Sequence, residues 1–128
     1  MATTALTLDT FESTVLSDGI TIVDFWAEWC GPCRMFAPVF EQASQTHGDI
    51  TFAKVDTEAE QQLAGEMQIM SIPTIMVFRD GILLYNQPGA MPAHQLEQVI
   101  GAVRALDMDE VRRDIEETER TNSAGGSD

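Results

Sequence analysis

Apolar residues fall along the chain in two patterns, short continuous runs and positions at helical spacing. The run over residues 20–26 is apolar apart from Thr21 and Asp24, which predicts a buried central strand. Runs over residues 50–55 and 73–79 predict two more strands. The other predicted elements are short strands over residues 5–7 and 82–85, a helix from the cysteine pair to residue 47, and helices over residues 9–16, 58–68 and 92–106.

Turn and capping signals mark where these elements begin and end. Asp9 and Glu12 have the spacing of a capping box for the first helix. Asp80-Gly81 lies between two apolar runs and predicts a tight hairpin. Pro38 falls inside a helical pattern, so we expect the second helix to be kinked rather than broken. The order is βαβαβαββα, which predicts an α/β fold with a mixed sheet.

The C-terminal segment differs in composition from the rest of the chain. Residues 107–128 hold eight acids and three arginines, and Met108, Val111 and Ile115 form a thin apolar stripe at helical spacing. We expect residues 1–106 to form the domain and residues 107–128 to be an acidic extension, partly helical and then disordered from residue 121. A solvated extension is the simpler interpretation, and a docking segment for a partner is the alternative.

Charge narrows the classes of partner. The 128 residues include 21 Asp and Glu against seven Lys and Arg, which gives a net charge of −14 at pH 7. Nucleic acids and anionic membranes need a basic face, and the chain has a single lysine, so we expect neither partner. The acidity favours solubility, with adaptation to high salt as a second interpretation. Residues 1–9 lack the pattern of a secretory signal, so we expect a cytoplasmic protein.

The two cysteines, Cys30 and Cys33, have the spacing C-x-x-C. Structural zinc usually takes four ligands, and His47 and His94 are far apart in sequence, so zinc is a minor interpretation. An inert disulfide that closes so short a loop would add little stability, and a reducing cytosol would keep it open. Redox use of the pair is the leading hypothesis.

The position of the pair between a predicted strand and a predicted helix gives the two thiols different roles. Cys30 lies at the helix start, where unpaired N–H groups and the helix dipole favour a thiolate. We expect Cys30 to attack a substrate disulfide and Cys33, further in and more buried, to resolve the mixed disulfide. Pro32 suits the first helical turn because its missing N–H needs no partner there.

Asp24 and Lys54 are charged residues in apolar strands. A buried carboxylate needs a partner or a raised pKa. Asp24 either exchanges a proton with Cys33 during the reaction or is a carboxylate satisfied by backbone or hydroxyl groups. Lys54 either reaches Asp24 from a neighbouring strand or rests its stem on the sheet with its charge in solvent.

Several segments together resemble the thioredoxin family. The stretch over residues 23–33, which contains Trp29-Cys30-Gly31-Pro32-Cys33, is similar to the active-site sequence of that family along its whole length. The resemblance covers about residues 6–106. Further matches, in the same order along the chain, are Pro38, Lys54-Val55-Asp56, Ser71-Ile72-Pro73-Thr74 and Gly89-Ala90.

The resemblance implies a thioredoxin fold, with a five-stranded mixed sheet flanked by four helices. It implies that Cys30 is the nucleophile and Cys33 the resolving thiol, with Asp24 as the buried proton carrier. Lys54 would be the neighbour of that carboxyl. It also implies a cis bond before Pro73, with the backbone of the preceding residue free to pair with a substrate segment. The implied patch for client disulfides comprises Trp29, Gly31, Pro32, Ile72, Pro73, Gly89 and Ala90.

The function that the resemblance implies is general protein dithiol–disulfide reduction, part of electron transport and cell redox homeostasis. No bound cofactor is implied, because the electrons come from NADPH through thioredoxin reductase. We expect a monomer that acts on disulfide-containing client proteins. The Gly31-Pro32 dipeptide and the missing signal argue against an oxidase or isomerase. A binding module that uses the same surface without its thiols is the remaining hypothesis.

Overall fold

The structure is a computed structural model that describes residues 3–125, with side chains through residue 122. These residues form one five-stranded sheet and five helices. The strands are β1 (Thr3–Ala5), β2 (Ile20–Trp26), β3 (Thr51–Asp56), β4 (Thr74–Arg79) and β5 (Ile82–Pro88). The helices are α1 (Leu8–Val15), α2 (Gly31–Thr46), α3 (Gln61–Glu66), α4 (Ala93–Ala105) and α5 (Met108–Gly125).

The sheet is mixed, as the sequence predicts, and its order is β1-β3-β2-β4-β5. β3 runs parallel to both β1 and β2, whereas β4 is antiparallel to β2 and to β5. β2 is therefore the central strand, and its register places Asp24 between Lys54 of β3 and Ile75 of β4. β5 is an edge strand and contains no Asp, Glu, Lys or Arg.

Alternate residues of β2 supply the two faces of the core. On one face, Val23 and Phe25 belong to a buried cluster that also contains Phe11 of α1 and Leu63 of α3. On the other face, α2 covers the sheet, since the ring of Phe40 lies 5.2 Å from that of Phe52, the β3 neighbour of Ile22. In each of these three helices, the apolar stripe is thus the side that packs against the sheet.

The β4–β5 hairpin forms at the predicted position. Asp80 and Gly81 have φ values of 53° and 81°, which suit a two-residue turn with both central residues in the left-handed region. α2 continues through Pro38 without a break, again as expected.

The first strand and the first helix begin and end at other residues than predicted. β1 ends at Ala5, and the helix begins right after Thr7, which is its N-cap. The N–H of Thr7 donates to Oγ1 of Thr10 at 2.9 Å. The capping pair is therefore Thr7 and Thr10, and the predicted pair of Asp9 and Glu12 is wrong.

The third helix begins at Gln61, three residues later than predicted. The carboxylate of Asp56 accepts the N–H groups of Glu58 at 2.9 Å and of Ala59 at 3.3 Å. These bonds hold the chain in a turn directly after β3, which delays the helix.

The chain divides into two compact units, Met1–Glu97 and Gln98–Asp128. The first holds the sheet and the cysteine pair, and the second holds α5. α5 is capped by Asp107, whose carboxylate accepts the N–H of Asp109 at 3.0 Å. It continues through residue 125, so residues 121–125 are helical where disorder was expected. The expected disorder of residues 126–128 lies outside the described residues.

Replacing Phe40 with alanine should lower the free energy of unfolding by about 3–5 kcal/mol, because the ring is fully buried against Phe36 and Phe52. Urea titration of the oxidised protein measures this loss. Met35→Ala on the same helix is the control, since that side chain is 76% exposed and its loss should cost about 0.5 kcal/mol or less. Equal losses in the two variants would contradict the described packing of α2.

Candidate active site

The two cysteines form a disulfide at the beginning of α2. Cys30 is the N-cap of this helix, and its Sγ accepts the N–H of Cys33 at 3.2 Å. Pro32 lies in the first helical turn, as predicted. The free N–H groups and the positive end of the helix dipole therefore lie at Cys30, where they favour a thiolate once the disulfide is reduced.

Burial does not distinguish the two cysteines as expected. Cys30 is 4% exposed and Cys33 is 3% exposed, because the disulfide, Ala27, Trp26 and Ile72 pack into one small apolar cluster. The difference between the two lies in their surroundings. Cys30 lines an open groove, and its Sγ lies 3.7 Å from the carbonyl oxygen of Ile72.

The groove has a volume of about 460 Å³, and none of its lining residues carries a charge. Its lining comes from the active-site segment, from the residue after β3, from α3 and from the loop before β4. In a chain with a net charge of −14, an uncharged groove is a local exception. The lining residues are Trp29, Cys30, Gly31, Pro32, Thr57, Ala64, Ile69, Met70, Ser71 and Ile72.

The structure brings together part of the patch expected from the sequence. Trp29, Gly31, Pro32 and Ile72 all line the groove. The bond before Pro73 is cis, as the resemblance implies, but the Pro73 side chain is buried and is not part of the lining.

Gly89 and Ala90 are exposed and also lie outside the groove lining. Gly89 nevertheless adjoins the cis-proline segment, since its N–H donates to the carbonyl of Pro73 at 2.7 Å. These two residues are therefore placed beside the groove rather than in it.

Half of the groove was not identified from the sequence. Thr57 follows β3, and its N–H and hydroxyl both donate to the carbonyl of Trp26, at 2.9 and 3.0 Å. The parallel pairing of β2 and β3 was a usable signal, because parallel strands end at the same edge of a sheet. Ala64, Ile69 and Met70 belong to no chemical motif and were missed for that reason, whereas Ser71 lies in the matched segment Ser71-Ile72-Pro73-Thr74 but was not assigned to the patch.

Asp24 is fully buried, and neither carboxylate oxygen has a hydrogen-bond partner among the described residues. The alternative of a carboxylate satisfied by backbone or hydroxyl groups is therefore wrong. Burial raises the pKa of Asp24 to about 7, and the positive charge of Lys54 partly opposes this rise.

Lys54 is half-buried, and the register of β2 and β3 places it beside Asp24. Its Nζ lies 4.8 Å from the centre of the Trp26 ring, within range of a cation–π interaction. Its positive charge is close enough to Asp24 to influence the titration of that carboxyl.

Two kinds of structural feature are absent from the described residues. No cluster of three His, Cys, Asp or Glu there is arranged to hold a metal ion. No helix in residues 3–125 has the length and apolar character needed to span a membrane.

Comparison with known proteins matches both the sequence and the fold. The family model described as Thioredoxin matches residues 2–102. The chain belongs to the thioredoxin family. A putative thioredoxin 2 of Streptomyces coelicolor is 48% identical over 116 residues, which cover 91% of this chain and 87% of that protein. The thioredoxin of Alicyclobacillus acidocaldarius is 40% identical over 103 residues, which cover 80% and 98% of the two chains.

A solved structure supports the same assignment. A Plasmodium falciparum thioredoxin superposes with a TM-score of 0.71 at 34% identity, covering 77% of this chain and 97% of that one. The thioredoxin fold predicted from the sequence is thus confirmed. Thioredoxin-family membership and the Cys30–Cys33 disulfide together identify a thiol–disulfide oxidoreductase.

The raised pKa of Asp24 should make stability depend on pH in a definite direction. The folded-state pKa of about 7 lies above the ordinary value of 3.8 for an aspartate, so the folded state binds the proton more tightly. The stability linked to this proton is complete below pH 4 and is lost as the pH rises through 7, a loss of roughly 4 kcal/mol.

Urea unfolding of the oxidised protein between pH 4 and pH 8 measures this loss. Asp24→Asn should abolish most of the dependence and be more stable than the wild type at pH 8. The matched control is Asp18→Asn, which changes an exposed carboxylate and should keep the wild-type profile. An unchanged profile in Asp24→Asn would show that another group titrates.

Proposed function

We propose that this protein is a general protein dithiol–disulfide reductase, and that thioredoxin reductase regenerates it with electrons from NADPH. The observation that carries the proposal is the placement of Cys30 at the N-terminus of α2, at the edge of an uncharged groove. A nucleophilic thiol and an apolar surface for a client segment are thereby combined in one place.

The proposed reaction starts from the dithiol form. The Cys30 thiolate attacks one sulfur of a client disulfide, and the other client sulfur leaves as a thiolate that takes up a proton. Cys33 then loses its proton and attacks Sγ of Cys30, which releases the second client thiol. The client gains two electrons and two protons, and the protein ends as the Cys30–Cys33 disulfide.

Asp24 is proposed to receive and return the proton of Cys33. A carboxyl with a pKa of about 7 is divided between its two protonation states near neutral pH, so it can serve in either direction. Lys54 is proposed to limit the rise in this pKa, since its positive charge opposes the effect of burial.

The direction of electron flow is proposed from the dipeptide between the cysteines and from the family. Gly31-Pro32 lacks the histidine that stabilises the reduced form in oxidising relatives, so the couple should be reducing. We place the protein in the cytoplasm as a monomer that carries no cofactor of its own. We assign the redox function to residues 1–106 and treat the acidic extension as solvated.

The reduction potential of the cysteine pair should lie below about −230 mV, more reducing than the glutaredoxins. Equilibration in dithiothreitol redox buffers measures it, with fluorescence of Trp26 and Trp29 as the signal. Since roughly 30 mV corresponds to a tenfold change in equilibrium, a potential near −180 mV would favour isomerase work instead.

Serine variants test the roles of the two thiols. Cys30→Ser should abolish NADPH-dependent reduction of insulin by thioredoxin reductase. Cys33→Ser should accumulate a mixed disulfide with the client, visible by non-reducing electrophoresis, because no resolving thiol remains. Ser17→Ala, far from the thiols in sequence and exposed, is the control and should keep full activity. A wild type that does not reduce insulin, with client binding retained in both cysteine variants, would favour a binding module.

A further inference from the structure

Met70 is the most exposed large apolar side chain described in this protein, at 93%, although it lines the groove beside Cys30. The chain around it is anchored on both sides. Ile69 packs against the core cluster and its N–H donates to the carbonyl of Ala64 at 3.0 Å. The carbonyl of Ser71 accepts the hydroxyl of Thr74 at 2.6 Å. Met70 therefore projects from a held backbone, not from a loose loop.

A second exposed apolar side chain lines the same groove. Trp29 is 65% exposed and directly precedes Cys30. Two large apolar side chains left in water in a groove beside a reactive disulfide are unfavourable unless a partner covers them. Methionine suits such a surface because its flexible, polarisable side chain adapts to partners of different shape.

Charge around the groove selects the same kind of partner. The lining is uncharged, and the nearby segments carry the exposed carboxylates Glu28, Glu58 and Glu66. An acidic client segment would be repelled by these groups, and a merely polar one would gain nothing from Met70 and Trp29.

We propose that Met70 is a specificity-determining residue, and that it selects client segments with a large apolar side chain within two residues of the reacting cysteine. The proposal rests on the reductase function given above. Met70 lies two residues before Ile72, whose carbonyl is next to Cys30 Sγ. An extended client segment advances about 7 Å over two residues, so a side chain within two residues of the reacting cysteine reaches the part of the groove that Met70 lines. The apolar client side chain packs between Met70 and Trp29.

The test uses two synthetic peptides, Ala-X-Ala-Cys-Ala-X-Ala, with leucine or serine at both X positions and the cysteine joined to thionitrobenzoate. Both peptides are uncharged at X, so their rate ratio reports the apolar contact rather than the net charge. Thionitrobenzoate release by the chemically reduced protein gives the second-order rate constant. The wild type should prefer the leucine peptide about tenfold, the effect of burying one large apolar side chain.

The variants separate the role of Met70 from that of apolar surface in general. Met70→Ser should reduce the preference to about threefold or less, and Met70→Leu should restore it. Met35→Ser is the matched control, since Met35 is also exposed but does not line the groove, and it should keep the wild-type ratio. Both positions are exposed, and circular dichroism checks that the three variants fold.

Four results would overturn the proposal. An unchanged ratio in Met70→Ser, or an equal drop in Met35→Ser, would show that Met70 does not select clients. If the wild type reacts with the two peptides at equal rates and still reduces insulin, the specificity is refuted but the reductase function is not. Failure to react with either peptide and with insulin would refute the reductase function as well.

Discussion

β2 is hydrogen-bonded to β3 on one side and to β4 on the other, and its side chains from Ile20 to Phe25 are buried on both faces. A strand confined in this way cannot shift by one residue, because every apolar side chain would exchange faces. The register that results determines where β2 ends, and therefore where Cys30 begins α2. The same strand carries Asp24, so one packing constraint positions both the thiol pair and its candidate proton carrier.

The elements that could be predicted are those whose sequence patterns lie within one short segment of the chain. An apolar run interrupted by one acid revealed both the central strand and the unusual carboxyl at Asp24. The capping of α1 could not be predicted, since Thr7, Asp9 and Thr10 offer competing starts in the sequence. In the folded chain the N–H of Leu8 donates to the carboxylate of Glu60 at 2.9 Å, a contact between residues far apart in sequence.

The candidate site likewise has one part that could be predicted from the sequence and another that could not. A motif identified the reactive pair, because thiol chemistry needs particular residue types at a particular spacing. The shape of the groove is a property of the fold, since Thr57 and Met70 reach it from the end of β3 and from the loop after α3. No residue type marks such a wall in advance. What distinguishes Met70 is its exposure on an anchored backbone, and exposure is visible only after folding.

The edge strand β5 has a consequence for association between copies. Edge strands usually avoid pairing with another chain by carrying charged residues or proline along the open side. β5 has a proline only at its last position and no charge between Ile82 and Pro88. The β4–β5 pair has a register shift at Val77/Phe78, an irregularity of the kind that protects sheet edges. Mutual repulsion of chains that each carry −14 adds to this protection. This repulsion weakens toward the isoelectric point near pH 4.2 and in concentrated salt. Under those conditions the sheet edge, rather than the charge, determines whether copies of the protein associate.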